Sequence, residues 1–213
     1  MESISIKLFL YIVIVLSASF HEFAHAFVAF WLGDSTAKDA GRLTLNPLKH
    51  IDLAGTVIIP LLLLFFWGGF IGWAKPVPYN PYNLRDKKYG SLKVGIAGPV
   101  ANFLIALILG IFLRLAFSGV FGASLIINSQ WSLFLSALAL IIYINIFLGL
   151  FNLIPMPPLD GSKVLMDLFP RANYAMASLG IVGVFVALLI AFWILSPLAG
   201  FVFKLIVGQS FGF

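Results

Sequence analysis

The 213-residue chain contains no cysteine, which excludes both a disulfide framework and a thiolate metal site. Any metal must be held by His, Asp or Glu. Charge is scarce as well: 10% of residues are charged and 62% are hydrophobic, whereas a soluble domain carries roughly 25% charged residues. Tandem repeats, charged low-complexity tails and Pro/Ser linkers are missing, so solenoid and linker-tethered architectures are excluded. The N-terminal apolar run is too long for the h-region of a cleavable signal peptide and contains histidines, so it is read as part of the protein. The net charge of +5 is explained by basic loops facing anionic lipid and the cytoplasm, without nucleic-acid binding. The class is a polytopic membrane protein, and the length suits one membrane-embedded domain over 1–213.

About 20 apolar residues span a bilayer core, and the candidate segments are 4–32, 55–73, 94–117, 131–154 and 174–195. A shorter tail, 198–207, follows Pro197. The intervening stretches carry basic residues unevenly. Lys38, Arg42 and Lys49 follow the first segment. Lys75, Arg85, Lys87, Lys88 and Lys93 follow the second, and Lys163 and Arg171 the fourth, whereas 118–130 has neither Lys nor Arg. The positive-inside rule places 33–53, 74–93 and 155–173 in the cytoplasm and 118–130 outside.

Loops 33–53 and 74–93 then share a side, so segment 55–73 must enter the bilayer and return. The 22 residues between Asp52 and Lys75 are too few for two spans. Pro60 interrupts a helix and Gly68-Gly69 offers a turn, so a re-entrant hairpin is expected. The alternation around Leu43 and Leu45, ending at Asn46-Pro47, predicts a short strand. The expected fold is an all-α polytopic bundle of about five to six hydrophobic segments. It includes the hairpin and short β strands in the cytoplasmic-side loops.

Against this apolar background, two of the three histidines and one of the two glutamates fall within His21-Glu22-Phe23-Ala24-His25. Ionisable residues at bilayer depth are costly and mark function. On a helix His21 and His25 share a face and can reach one metal, and Glu22 can take a proton from bound water. H-E-x-x-H occurs by chance in soluble proteins, where it reads as a pair of core histidines. Lipid-depth surroundings favour the metal. A third ligand is needed, and the ionisable side chains in the apolar segments after residue 94 are Arg114, Asp160, Asp167 and Lys204. Asp160 alone follows a helix-breaking run, Asn152-Leu153-Ile154-Pro155-Met156-Pro157-Pro158-Leu159, and precedes Gly161. The competing reading makes it a cap for the helix beginning at Ser162. With a re-entrant second segment, the first and fourth segments run in the same direction, which brings their cytoplasmic ends to one level.

These motifs resemble the site-2 protease family of intramembrane zinc metalloproteases. His21, Glu22 and His25 fill H-E-x-x-H. Asn152 to Gly161 fills Asn-x-x-Pro-x-Pro-x-Leu-Asp-Gly, and Gly98 and Asn102 fill Gly-x-x-x-Asn. The match covers nearly the whole chain in the right order. Gly41 to Asp52 and Gly72 to Pro78 look like the compact branch of the family, without PDZ or CBS domains. The resemblance implies one Zn2+ held by His21, His25 and Asp160, with Glu22 as general base and acid. It implies that Asn102 and Asn152 hydrogen-bond the substrate backbone or the developing oxyanion. His50 is a candidate gate or extra ligand. The expected partners are a transmembrane protein substrate and the lipid bilayer, with no nucleic acid. The expected setting is multi-pass in a prokaryotic inner membrane, with the active site towards the cytoplasm. The rival functions are a zinc or proton-coupled transporter and an inactive, protease-like membrane chaperone. Inverted repeats and further acidic residues, which a transporter calls for, are missing, and an intact Glu22 opposes the chaperone.

Overall fold

The computed structural model describes residues 4–67, 72–119, 129–169, 182–183 and 185–211. Among the described residues, four helices are long and apolar enough to cross a membrane: α1 (Ile4–Trp31), α4 (Gly90–Phe117), α5 (Ser129–Asn152, its spanning part Trp131–Asn152) and α7 (Phe185–Val207). Between them lie three shorter helices, α2 (Thr36–Asp39), α3 (Ile59–Trp67) and α6 (Asp160–Leu168). The chain is an integral, multi-pass membrane protein. It divides into two compact units, Met1–Gly98 and Pro99–Phe213, and α4 runs through the division.

In the first unit, α1 ends where Gly33 adopts a positive φ of 107°. Asp34 then gathers the loops. Its Oδ1 accepts from Thr36 Oγ1 (2.5 Å) and Asn83 Nδ2 (2.9 Å), and its Oδ2 from the Asn80 amide (2.7 Å). Burial pushes this carboxyl up, but the donors of Thr36, Asn80 and Asn83 outweigh it and the pKa is lowered. Ala29, Leu32, Leu84 and Val94 form the small core beneath these loops. Ahead of α4, Asp86 accepts from the amides of Lys88 and Tyr89 and pairs with Lys93 at 2.7 Å. The Lys93 contact, followed by the Tyr89 amide, lowers the Asp86 carboxyl to about 2.

The expected strand around Leu43 and Leu45 does not form, and the described residues contain no strand. Side chains capture the local amides instead: Thr44 Oγ1 accepts from Asn46, and Asn46 Oδ1 accepts from Leu48 to start a 3-10 turn at Pro47–Lys49. Such local bonds compete with a ladder. Segment 55–73 begins as a π-helical turn, Leu53–Ile58, and continues as α3. Its two ends meet, because the Trp73 amide donates to the Gly55 carbonyl (3.0 Å) and Thr56 Oγ1 to the Trp73 carbonyl (2.8 Å). The expected turn at Gly68-Gly69 lies outside the described residues.

In the second unit, α4, α5 and α7 share one core built from Ala106, Leu113, Leu138, Ile142, Ile146, Ala199 and Phe203. The boundaries expected at 174–195 and 198–207 are corrected here. Residues 185–207 form one helix, and 174–181 lie outside the described residues. Pro197 falls in the first turn of the α-helical stretch Ser196–Val207, where its missing N–H is tolerated, and the π-helical stretch Ala191–Leu195 leads into it without a break. Arg114 donates to the carbonyls of Leu205 (3.2 Å) and Ile206 (3.5 Å) at the end of α7. There a cation meets the negative end of the helix dipole.

Candidate metal centre and catalytic residues

In the first unit the candidate ligands lie on α1. A four-residue step puts His21 and His25 on one face, and both are buried. His25 Nδ1 lies 2.6 Å from the Val94 carbonyl. A carbonyl can only accept, so Nδ1 carries the proton and Nε2 keeps its lone pair for a metal. That Nε2 lies 3.0 Å from Nε2 of His21. A tetrahedral zinc with bonds of about 2.0–2.1 Å spaces its nitrogens about 3.3 Å apart, so the pair needs only a slight opening. Gly98 makes room: a Cβ there would collide with Nε2 of both histidines. Glu22, between the ligands in sequence, is half-buried, and its Oε2 accepts from the Val77 amide at 2.8 Å.

In the second unit the candidate residues lie on α4, α5 and α6. Asp160 is buried and is the first residue of α6. The residue at the N-cap is Leu159, whose side chain caps nothing, so Asp160 does not serve as the N-cap. Its carboxylate, at the positive end of the helix, pairs with Lys163 at 2.7 Å. Gly161 is required because a Cβ would meet the carbonyls of Leu153 and Ile154. Asn102 is fully buried, and its Nδ2 donates to Asn145 Oδ1 at 3.0 Å. Asn152 donates to the Leu148 carbonyl one turn back at 3.0 Å.

His21, His25 and Asp160 are the described residues whose donor set, two imidazoles and a carboxylate, suits a catalytic zinc. His50 joins no such group among the described residues. It is buried with Nε2 donating to the Thr44 carbonyl at 2.8 Å, while Nδ1 has no described partner.

Sequence reasoning did not find Asn145, Lys163, Arg42 or Val77. Asn145 lies seven residues before Asn152, two turns along one helix face, and that spacing was the available signal.

A model of peptidase family M50 matches residues 116–196. Among curated proteins, the "Putative zinc metalloprotease YwhC" of Bacillus subtilis is 41% identical over 167 residues, covering 78% of this chain and 72% of its own. The "Putative zinc metalloprotease Rip2" of Mycolicibacterium smegmatis is 32% identical over 165 residues, covering 76% of this chain and 58% of its own. The "Zinc metalloprotease MJ0392" of Methanocaldococcus jannaschii is 34% identical over 97 residues, covering 45% and 25%. No solved structure matches the chain. With that identity extending over most of the Bacillus relative, the chain belongs to peptidase family M50, the site-2 protease family of zinc metallopeptidases.

Proposed function

We propose that this metallopeptidase cuts transmembrane segments of membrane-protein substrates, and that both units act together as one protease domain. The observation that carries the reading is the pair of imidazoles converging at 3.0 Å inside a helix apolar enough to cross a membrane, with Glu22 beside them. In this reading His21, His25 and Asp160 hold the zinc. When bound, zinc supplies a Lewis acid that polarises a carbonyl and acidifies water. Glu22 accepts the proton of the attacking water and returns it to the leaving amine. Asn102 presents a neutral amide to the developing oxyanion at little desolvation cost. Asn152 contacts the substrate backbone in the same reading, once it releases the Leu148 carbonyl.

We further propose that segment 55–73 re-enters the bilayer, and that the active site faces the cytoplasm of a prokaryotic inner membrane. The meeting of Trp73 with Gly55 supports re-entry, since a spanning segment would part its ends by about 30 Å. The uneven distribution of Lys and Arg supports the cytoplasmic side.

A panel of single-span Leu/Ala helices, each interrupted by Asn-Pro, Gly-Gly or Ser-Gly, tests the activity in detergent. Cleavage abolished by 1,10-phenanthroline and by Glu22→Gln is expected, with a loss of roughly 10²-fold or more for the variant. Cleavage by Glu22→Gln at near the wild-type rate would overturn the assignment.

A further inference from the structure

Residues 72–80 run without helix or turn alongside α1. Within Pro76-Val77-Pro78 the two prolines carry no amide hydrogen, so Val77 holds the tripeptide's one N–H. That N–H is the group donating to Glu22 Oε2 at 2.8 Å. Its position is fixed by contacts that do not involve Glu22. Arg42 is 8% exposed, and its Nη2 donates to the carbonyls of Lys75 (2.9 Å) and Pro76 (3.2 Å). Its Nη1 donates to the Lys49 carbonyl. The Lys75 amide donates to the His50 carbonyl at 2.9 Å. The Val77 side chain is buried against Ala26, Ala37 and Leu43, and Ala26 is the residue after His25 on α1.

A glutamate side chain turns about three bonds, and a general base works only when its oxygen meets the water in the right geometry. A charge-assisted bond to one oxygen removes that freedom and leaves the other oxygen aimed. We infer that the Val77 amide, held in register by Arg42, positions Glu22 for proton transfer; this rests on the reading of Glu22 as general base. Arg42 and Val77 are positioning residues that act through Glu22. Oε2 is the anchored oxygen, and Oε1 is the one that takes the proton and gives it back.

Two substitutions at one position separate the amide from the side chain. Val77→Pro deletes the N–H within a segment already flanked by prolines, and Val77→Ala keeps the N–H while trimming the side chain. On the Asn-Pro helix, Val77→Pro is expected to lower kcat at least tenfold, with KM within about twofold and zinc content unchanged. Val77→Ala keeps the N–H but loses part of the packing that holds it, and is expected to lose several-fold less kcat than Val77→Pro. Arg42→Lys should recover part of the kcat that Arg42→Met loses, which keeps the test open if Val77→Pro does not fold.

A second readout needs no turnover. In protein labelled with 15N-valine, the Val77 amide is the resonance missing from Val77→Ala, and Glu22→Gln should move its proton upfield. An unmoved resonance overturns the contact. A Val77→Pro kcat equal to wild type would mean that Glu22 needs no such hold, and a higher one that the segment restrains the enzyme; either overturns the inference. Inactive Glu22→Gln beside fully active Val77→Pro sinks the positioning role alone. Active Glu22→Gln sinks the general-base reading beneath it.

Discussion

His25 and Val94 are joined by a 2.6 Å hydrogen bond from Nδ1 to the main-chain carbonyl. The bond fixes the tautomer, so Nε2 is presented as a ligand before any metal arrives. It also ties the end of the H-E-x-x-H motif to the first turns of α4, the helix that carries Gly98. Pro99 follows at once and removes the amide that would have bonded the Gly95 carbonyl, next to the one His25 uses.

The close approach at Gly98 gives the first prediction. Gly98→Ala places a methyl group where both Nε2 atoms lie and should displace them. Zinc affinity should fall by about 10- to 100-fold, in the range seen when ligand orientation is lost. Gly200→Ala, where a Cβ meets nothing within 4 Å, is the control and should keep its zinc. Metal content by mass spectrometry of purified protein decides between them. Equal occupancy in the two variants would refute the crowding argument.

The third ligand is tested by comparing two acids of α6. Asp160 is buried in the first turn, whereas Asp167 is half-buried in the last. Asp160→Ala should lower zinc occupancy and Asp167→Ala should not. If both variants retain zinc equally, the carboxylate ligand lies elsewhere.

Asp34 yields a pH-dependent prediction. Its folded pKa lies below the unfolded value of about 3.9. The stabilisation is therefore fully present above pH ~4 and is lost as pH falls through the lower, folded pKa. Asp34→Asn turns one acceptor oxygen into a donor facing another donor, at a cost of roughly 1–3 kcal/mol at neutral pH. Thermal unfolding from pH 7 down to pH 3 should show the gap between wild type and variant narrowing with acid. A gap that widens would contradict the assignment.

Topology can be read with single cysteines, since the chain supplies no background thiol. Labels at Ser35, Ser91 and the exposed Leu168 should react from the cytoplasmic side. A label at Ser124, which lies outside the described residues, should react from the other side. The expectation follows from the Lys/Arg distribution. Reaction of Ser91 from outside would mean that 55–73 spans the bilayer.

The parts that were legible in the sequence share a property: each is local. The apolar runs 4–32, 94–117 and 131–154 sit within a few residues of α1, α4 and α5, because hydropathy over 20 residues sets a span wherever it lies. The placement of His21, Glu22 and His25 together was legible because one helix carries all three. Arg42 was read only as a positive charge, yet its guanidinium is spent on main-chain carbonyls 33 and 34 residues downstream. Val77 is an apolar residue whose part is played by its amide, which no side-chain motif encodes. Asn145 was hidden because a polar residue inside a span says nothing about its partner until a second helix is beside it. The expected strand failed for the opposite reason: a purely local pattern of Leu43 and Leu45 was overridden by the still more local turns of Thr44 and Asn46.

In α7 the buried residues Ala187, Ala191, Leu195, Ala199, Phe203 and Val207 recur at every fourth position. On an ideal α-helix each such step overshoots a full turn by about 40°, so the row would wind well round the cylinder before reaching Val207. The wider coil at Ala191–Leu195 subtracts from that winding and keeps the row facing its neighbours. The helix thereby behaves like a vernier: one surplus residue brings two differently phased halves into line. Removing one residue between 191 and 195 would let the stretch close into ordinary α-helix with Ala187 and Phe203 still on one side, whereas a deletion within the α-helical turns that follow, Ser196–Val207, would swing the residues beyond it by about 100°.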